Sequence, residues 1–251
     1  VQTAQNQKSL AANATFQLAK AYQFSYEHVK ALEQYDAAEK AYRALGGQFG
    51  LLRTYNNIAM IYFDLGQDEN ARKYYNFQQT LARTLGDELG YARATNNVAS
   101  IEKRQGNYEG AIRLSLEALG VFKQQANLLG ISSAAVTLSN SYDAIGNTAE
   151  AIAYAKQSLS TGLQLRELRA VGTACGSLAN VYNKMQDNEE GVFSSLCAAA
   201  VIKYLKNDDL PGPKRDYGIF ISAIKSVKAR VSSPVYETML SSAEKRVGDC
   251  G

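Results

Sequence analysis

The sequence predicts an all-α solenoid, a row of helical hairpins stacked side by side, on three observations. One is a period of 40 residues without a gap: Asn56-Asn57-Ile58-Ala59 falls on Asn96-Asn97-Val98-Ala99, Gly66 on Gly106 and Ala71 on Ala111. Another is that the same step aligns whole columns. Ala19, Ala59, Ala99, Ser139 and Ala179 share one position, Leu18, Ile58, Val98, Leu138 and Leu178 the one before it, and Tyr22, Tyr62, Tyr142 and Tyr182 a third. The last is the spacing inside a unit, where apolar residues advance by three or four, the pattern of one helix face. A fixed period of this size marks a repeat architecture, in which no unit can bury its apolar face alone.

Taken in order, residues 10–24 and 27–45 form the first hairpin, with Tyr26 standing where later units place a glycine. In the second unit Tyr55, Ile58, Ala59, Tyr62 and Leu65 line a first helix. Gly66 closes it as a left-handed cap, as Gly106 and Gly146 do in the next two units. Ala71, Tyr74, Tyr75, Gln78, Leu81, Ala82 and Leu85 line a second helix that ends at Gly86-Asp87. Asn147 with Glu150, and Asp187 with Glu190, read as capping boxes. Small residues at Ala31, Ala71, Ala111, Ala151 and Gly191 mark where the two helices approach closely. The repeats therefore run over about 10–50, 51–90, 91–130, 131–170 and 171–210, within a single domain spanning 1–251. Asp208-Asp209-Leu210-Pro211-Gly212-Pro213 breaks the pattern. Residues 211–251 read as capping helices over 214–230 and 235–247.

Composition narrows the function classes. Hydrophobic residues make up 46%, charged residues 20%, and there are three prolines, which fits an ordered helical chain. The net charge is +3, and because residues 1–210 carry equal numbers of basic and acidic groups, the whole excess lies after Leu210. Lys214, Arg215, Lys225, Lys228 and Arg230 suit a solvated terminal cap, which disfavours nucleic acid as a partner. No apolar run is long enough to span a bilayer. Three cysteines without a CxxC pairing make neither a disulfide framework nor a zinc site, and Cys175 and Cys197 read as buried small hydrophobes on packed helices. A reducing, cytoplasmic location follows as the expectation, although Val1 without a methionine leaves room for a removed leader.

These residues resemble the tetratricopeptide repeat family, in the helix–turn–helix unit and in its small, aromatic and glycine positions. The 40-residue period, with Asn-Asn-Ile/Val-Ala on the first helix and Leu-Gly-Asp at the end of the second, looks like the longer-helix branch of kinesin light chain, Pins/LGN-type adaptors and bacterial regulators. Departures exist: the family's tryptophan column holds Tyr55 once and otherwise Thr15, Thr95, Ala135 and Cys175, and Glu102 replaces a column tyrosine. The resemblance implies a right-handed superhelix whose inner wall, lined by the first helix of each hairpin, binds a partner. Its function is then that of a scaffold or adaptor holding a peptide segment, without enzymatic activity or cofactor.

Carried onto this chain, that wall holds Arg53, Asn56 and Asn57, then Arg93, Asn96, Asn97, Lys103 and Arg104, then Asn140, and finally Asn180 and Lys184. Lys20, Asp64 and Asp143 share it, so cations outnumber acids, which suits an acidic or carboxylate-bearing protein or peptide. Each asparagine amide can pair with a peptide backbone, and Arg53 and Arg93, one period apart, can grip a carboxylate with two bonds. The competing expectation is that the asparagines bond within the stack and the arginines pair with acids of adjacent units. Two other functions stay open: a peptide-responsive sensor controlling an output domain, and nucleic-acid binding through the basic C-terminal face. Catalysis lacks a motif. The lone histidine, His28, reads as a surface residue, the tyrosine columns read as packing, and the glycines mark turns rather than a phosphate cradle.

Overall fold

The computed structural model describes residues 2–185 of the chain. The second helix of the fifth repeat, the 211–251 cap with its basic cluster, the Asp187–Glu190 box, Gly191, Cys197 and Cys250 lie outside the described residues. The chain divides into two compact units, one up to Gln105 and the other from Gly106.

The first unit contains α1 (Gln2–Phe24), α2 (His28–Leu45), α3 (Gln48–Asp64), α4 (Asp68–Leu85) and α5 (Glu88–Arg104). Each helix packs on its successor, and α3 also packs on α1 and on α5. The second unit contains α6 (Tyr108–Gln124), α7 (Leu128–Ala144), α8 (Thr148–Leu165) and α9 (Leu168–Lys184), with α7 packed on both α8 and α9. The described residues are thus all-α, built as a solenoid-type series of hairpins. Two boundaries differ from the sequence reading. Helix α1 begins at Gln2 because residues 2–9 contain no glycine or proline to stop it. Helix α3 begins at Gln48 because Gly46, at φ +66°, ends α2 there.

The turns follow the cap chemistry. Gly66, Gly106 and Gly146 sit at φ of +72°, +82° and +80°. At the first of them the Gly66 N–H donates to the Phe63 carbonyl at 3.0 Å and the Gln67 N–H to the Tyr62 carbonyl at 2.8 Å. Tyr26 makes the same turn at φ +59°, with its N–H on Gln23 and that of Glu27 on Tyr22. An L side chain pays a steric penalty in that region. Asn147 caps α8 by accepting from the Glu150 N–H at 3.3 Å.

The repeat columns are core columns. Ala31, Ala71, Ala111 and Ala151 are fully buried, as are Ala19, Ala59, Ala99 and Ser139. Tyr62 stacks on Tyr74 and Tyr142 on Tyr154. Leu18 departs from its column, at 45% exposed against 2% for Ile58, since no described helix covers that side of α1. Two expectations need correction. Cys175 is buried and disulfide-bonded rather than a free apolar thiol. His28 is half-buried: its ring sits edge-on to Tyr26 at 6.1 Å, and Nδ1 has no hydrogen-bond partner.

Candidate ligand groove

In the first unit the odd-numbered helices lie side by side, and a cavity of about 390 Å³ opens along them. Its wall takes Phe16 and Lys20 from α1, Phe49, Leu52, Arg53, Asn56 and Asn57 from α3, Gln78 from α4, and Asp87, Gly90 and Arg93 at the start of α5. The helical step explains the grouping: residues 49, 52, 53, 56 and 57 advance by three and one, which keeps them on one face of α3.

Four of the predicted residues thus meet in one cavity: Arg53, Asn56, Asn57 and Arg93. Arg53 and Arg93 are exposed. The Arg53 guanidinium lies 4.5 Å from the centre of the Phe16 ring. Among the described residues neither arginine forms an ion pair, so the expected pairing with acids of neighbouring repeats is not what holds them. Asp87 is the one acid of this wall, and its side chain accepts from the Gly90 N–H at 2.8 Å as the cap of α5.

The asparagines are partnered within the stack. Asn97 donates to Asn56 Oδ1 at 3.5 Å, Asn56 donates to Asn57 Oδ1 at 3.2 Å, and Asn57 donates to the Tyr35 hydroxyl at 3.0 Å, which donates in turn to Gln23 at 2.7 Å. This chain of amides ties α5, α3, α2 and α1 together and leaves fewer free groups for a ligand. Asn96, expected on the groove wall, is 3% exposed and lies inside the packing. Burial pushes the Tyr35 phenol up to about 12, with the Asn57 hydrogen bond opposing it.

The remaining predicted residues are not in this cavity. Arg104 turns toward α4: it pairs with Asp68, donates to the Phe63 carbonyl at 2.7 Å and covers the Phe63 ring. Lys103 is half-buried, and that burial lowers its ammonium below the usual lysine range. In the second unit Lys184 bonds Asp143 at 2.7 Å, Asn140 accepts from Ser177 at 3.0 Å, and Asn180 is exposed.

Sequence reasoning passed over Phe16, Phe49, Leu52 and Gln78 as parts of the wall. A signal for Gln78 existed. Its column reads Ala38, Gln78, Ala118, Ser158, a long amide among small residues. Among the described residues no group of histidine, cysteine and carboxylates could hold a metal, and no helix is long and apolar enough to cross a membrane.

Comparison with known proteins agrees with this architecture. No curated protein matches the chain. Solved structures of low identity share the fold. Aspartyl phosphate phosphatase F from Bacillus subtilis superposes with a TM-score of 0.66 at 16% identity, over 95% of this chain and 59% of that one. BtubC (BKLC) from P. vanneervenii gives 0.58 at 16% identity, over 83% of this chain and 95% of that one. A STAND protein with a tetratricopeptide repeat sensor from Pyrococcus horikoshii gives 0.59 at 16% identity, over 96% of this chain and 37% of that one. The tetratricopeptide repeat profile matches residues 50–124 and, in an overlapping register, 90–161. The regular repeats over residues 50–161 are therefore of the tetratricopeptide type, and the helical hairpins described on either side of them share that fold.

Proposed function

We propose that this chain is a non-enzymatic binding module whose first unit holds an acidic or carboxylate-bearing segment of a partner protein in the cavity between α1, α3 and α5. Proteins built of such repeats generally mediate protein–protein interaction. One observation carries the finer reading: two guanidiniums, Arg53 and Arg93, open on a single cavity with no carboxylate paired to either among the described residues. A planar guanidinium with five donors suits a carboxylate, and two set one repeat apart would hold it by position as well as charge. Phe16 and Phe49 supply apolar wall beside them, and Phe49 is largely exposed.

The asparagine ladder supports a different role for those residues, that of fixing the shape of the wall. The phosphatase activity named for one structural relative is not carried over, since that likeness is one of fold. Disulfides persist in oxidising surroundings, so the Cys175 bond favours such a location over the cytoplasm expected from composition.

The test is a pull-down comparing the native chain with the Arg53→Glu, Arg93→Glu double variant. Partners retained by the native chain should be lost from the variant, and native-chain binding should weaken as salt rises. Equal recovery by both proteins would overturn the proposal.

A further inference from the structure

Gln78 stands apart from every other residue of the groove. It is 4% exposed, it lines the cavity, and its Oε1 is shielded from solvent with no hydrogen-bond partner. A buried amide oxygen normally finds a donor, because leaving it bare forfeits the bond it made with water. The repeat offers an internal comparison. At the equivalent place in the fourth repeat, Ser158 has its partner: its hydroxyl lies 3.0 Å from that of Ser132 and donates to the Ser132 carbonyl at 3.2 Å. Two repeats earlier the position of Ser132 is taken by Leu52, which offers no donor. In the other described repeats the column holds buried alanines, Ala38 and Ala118, and no polar group needs satisfying. The second repeat alone among these four places a long polar side chain in this column, opposite a leucine and against a cavity.

We infer that Gln78 is a specificity-determining residue that completes its hydrogen bonding with the ligand: its side chain turns so that Oε1, covered in the free protein, accepts from a peptide N–H beside the carboxylate held by Arg53 and Arg93. The inference rests on the proposed function and names the ligand class further. A carboxylate alone has no donor for an acceptor, whereas a peptide group beside it has one N–H. The apolar wall of Phe16, Phe49 and Leu52 adds a preference for a large apolar side chain next to the acid. The favoured ligand is therefore an extended segment in which an aromatic or aliphatic residue adjoins Asp or Glu. Small organic acids without an amide are selected against. Asn56 and Asn57 do not share this role, because their amides are already bonded to each other and to Tyr35.

The probes are N-acetyl-phenylalanyl-aspartate and its two esters, in which one or the other amide N–H is replaced by oxygen, titrated into the full chain by calorimetry or NMR. Replacing the N–H that meets Gln78 should weaken binding about tenfold, the worth of one hydrogen bond to a desolvated partner. In Gln78→Ala that penalty should shrink to about twofold or less. Alanine is native at this column in neighbouring repeats, so the variant should fold, and Gln78→Met provides a second replacement that fills the volume. Two unpenalised esters, or an ester penalty that persists undiminished in both Gln78 variants, would overturn the inference and leave the arginine reading intact. Binding unchanged in Arg53→Glu, Arg93→Glu would remove the arginine reading beneath it, and a native chain that binds none of the probes would remove both.

Discussion

Replacing Gln78 by methionine should make the unliganded protein more stable. The native side chain keeps an amide oxygen out of water without a donor, a defect that costs about 1–3 kcal/mol. Methionine is also unbranched, reaches about as far and adapts to irregular gaps, so it should leave little cavity to offset the gain. Leu52 and Phe16, on the same wall, are apolar neighbours suited to a thioether. A net gain of about 1–2 kcal/mol is expected. In urea, with a slope of about 2 kcal/mol per molar, this moves the midpoint of the unfolding step of the first unit up by about 0.5–1 M. Circular dichroism of the helices during a urea titration reads the shift directly. A variant whose midpoint is unchanged or lower would refute the reasoning, since it would mean that the oxygen is satisfied in the free protein. Gain of stability together with loss of ligand would identify Gln78 as a residue whose cost is recovered only on binding.

Three further perturbations test the fold. Tyr26 occupies a left-handed turn at φ +59° and is 83% exposed, so Tyr26→Gly should stabilise the first hairpin by about 1 kcal/mol, read as a higher melting temperature. Tyr35 is buried with its phenol held at about 12 against an ordinary 10.0. The folded state therefore keeps this proton where the unfolded chain releases it. The resulting stability is present below pH 10.0 and is lost as pH rises toward about 12, with a total near 2–3 kcal/mol. Unfolding free energies measured across that interval should fall more steeply for the native chain than for Tyr35→Phe, and parallel slopes would count against the assignment. Cys175 should be protected from alkylation until a reductant is added. Cys175→Ser should lower stability by about 2–4 kcal/mol under oxidising conditions, and a thiol that reacts freely in the folded, unreduced protein would contradict the disulfide.

Much of the architecture was legible in the chain because repetition multiplies weak signals. One Ala-Tyr spacing means little, but Ala19, Ala59, Ala99 and Ser139 recurring at a fixed step report the same buried position, and each proved fully buried. Gly66, Gly106 and Gly146 were readable for a related reason: only a residue without a Cβ enters the left-handed turn at low cost, so composition and conformation coincide. The family resemblance, carried onto the repeat, put Arg53, Asn56, Asn57 and Arg93 on one wall, and the four do line one cavity.

The site itself depended on tertiary packing. Helical spacing states which face a residue occupies, but the neighbour it meets across the next helix depends on how the helices nest. So Arg104 and Arg53, both assigned to the groove by the same rule, diverge: one is drawn to Asp68 and Phe63, the other rests on Phe16 beside the cavity. The asparagines could have faced a ligand or each other, and the distances between α2, α3 and α5 decided for each other. Whether Gln78 is satisfied was likewise beyond the reach of a linear reading, because hydrogen bonding depends on the atoms that arrive from other segments. Local sequence sets backbone conformation and burial through short-range sterics and periodicity, whereas the pairing of polar groups is a property of three-dimensional contact.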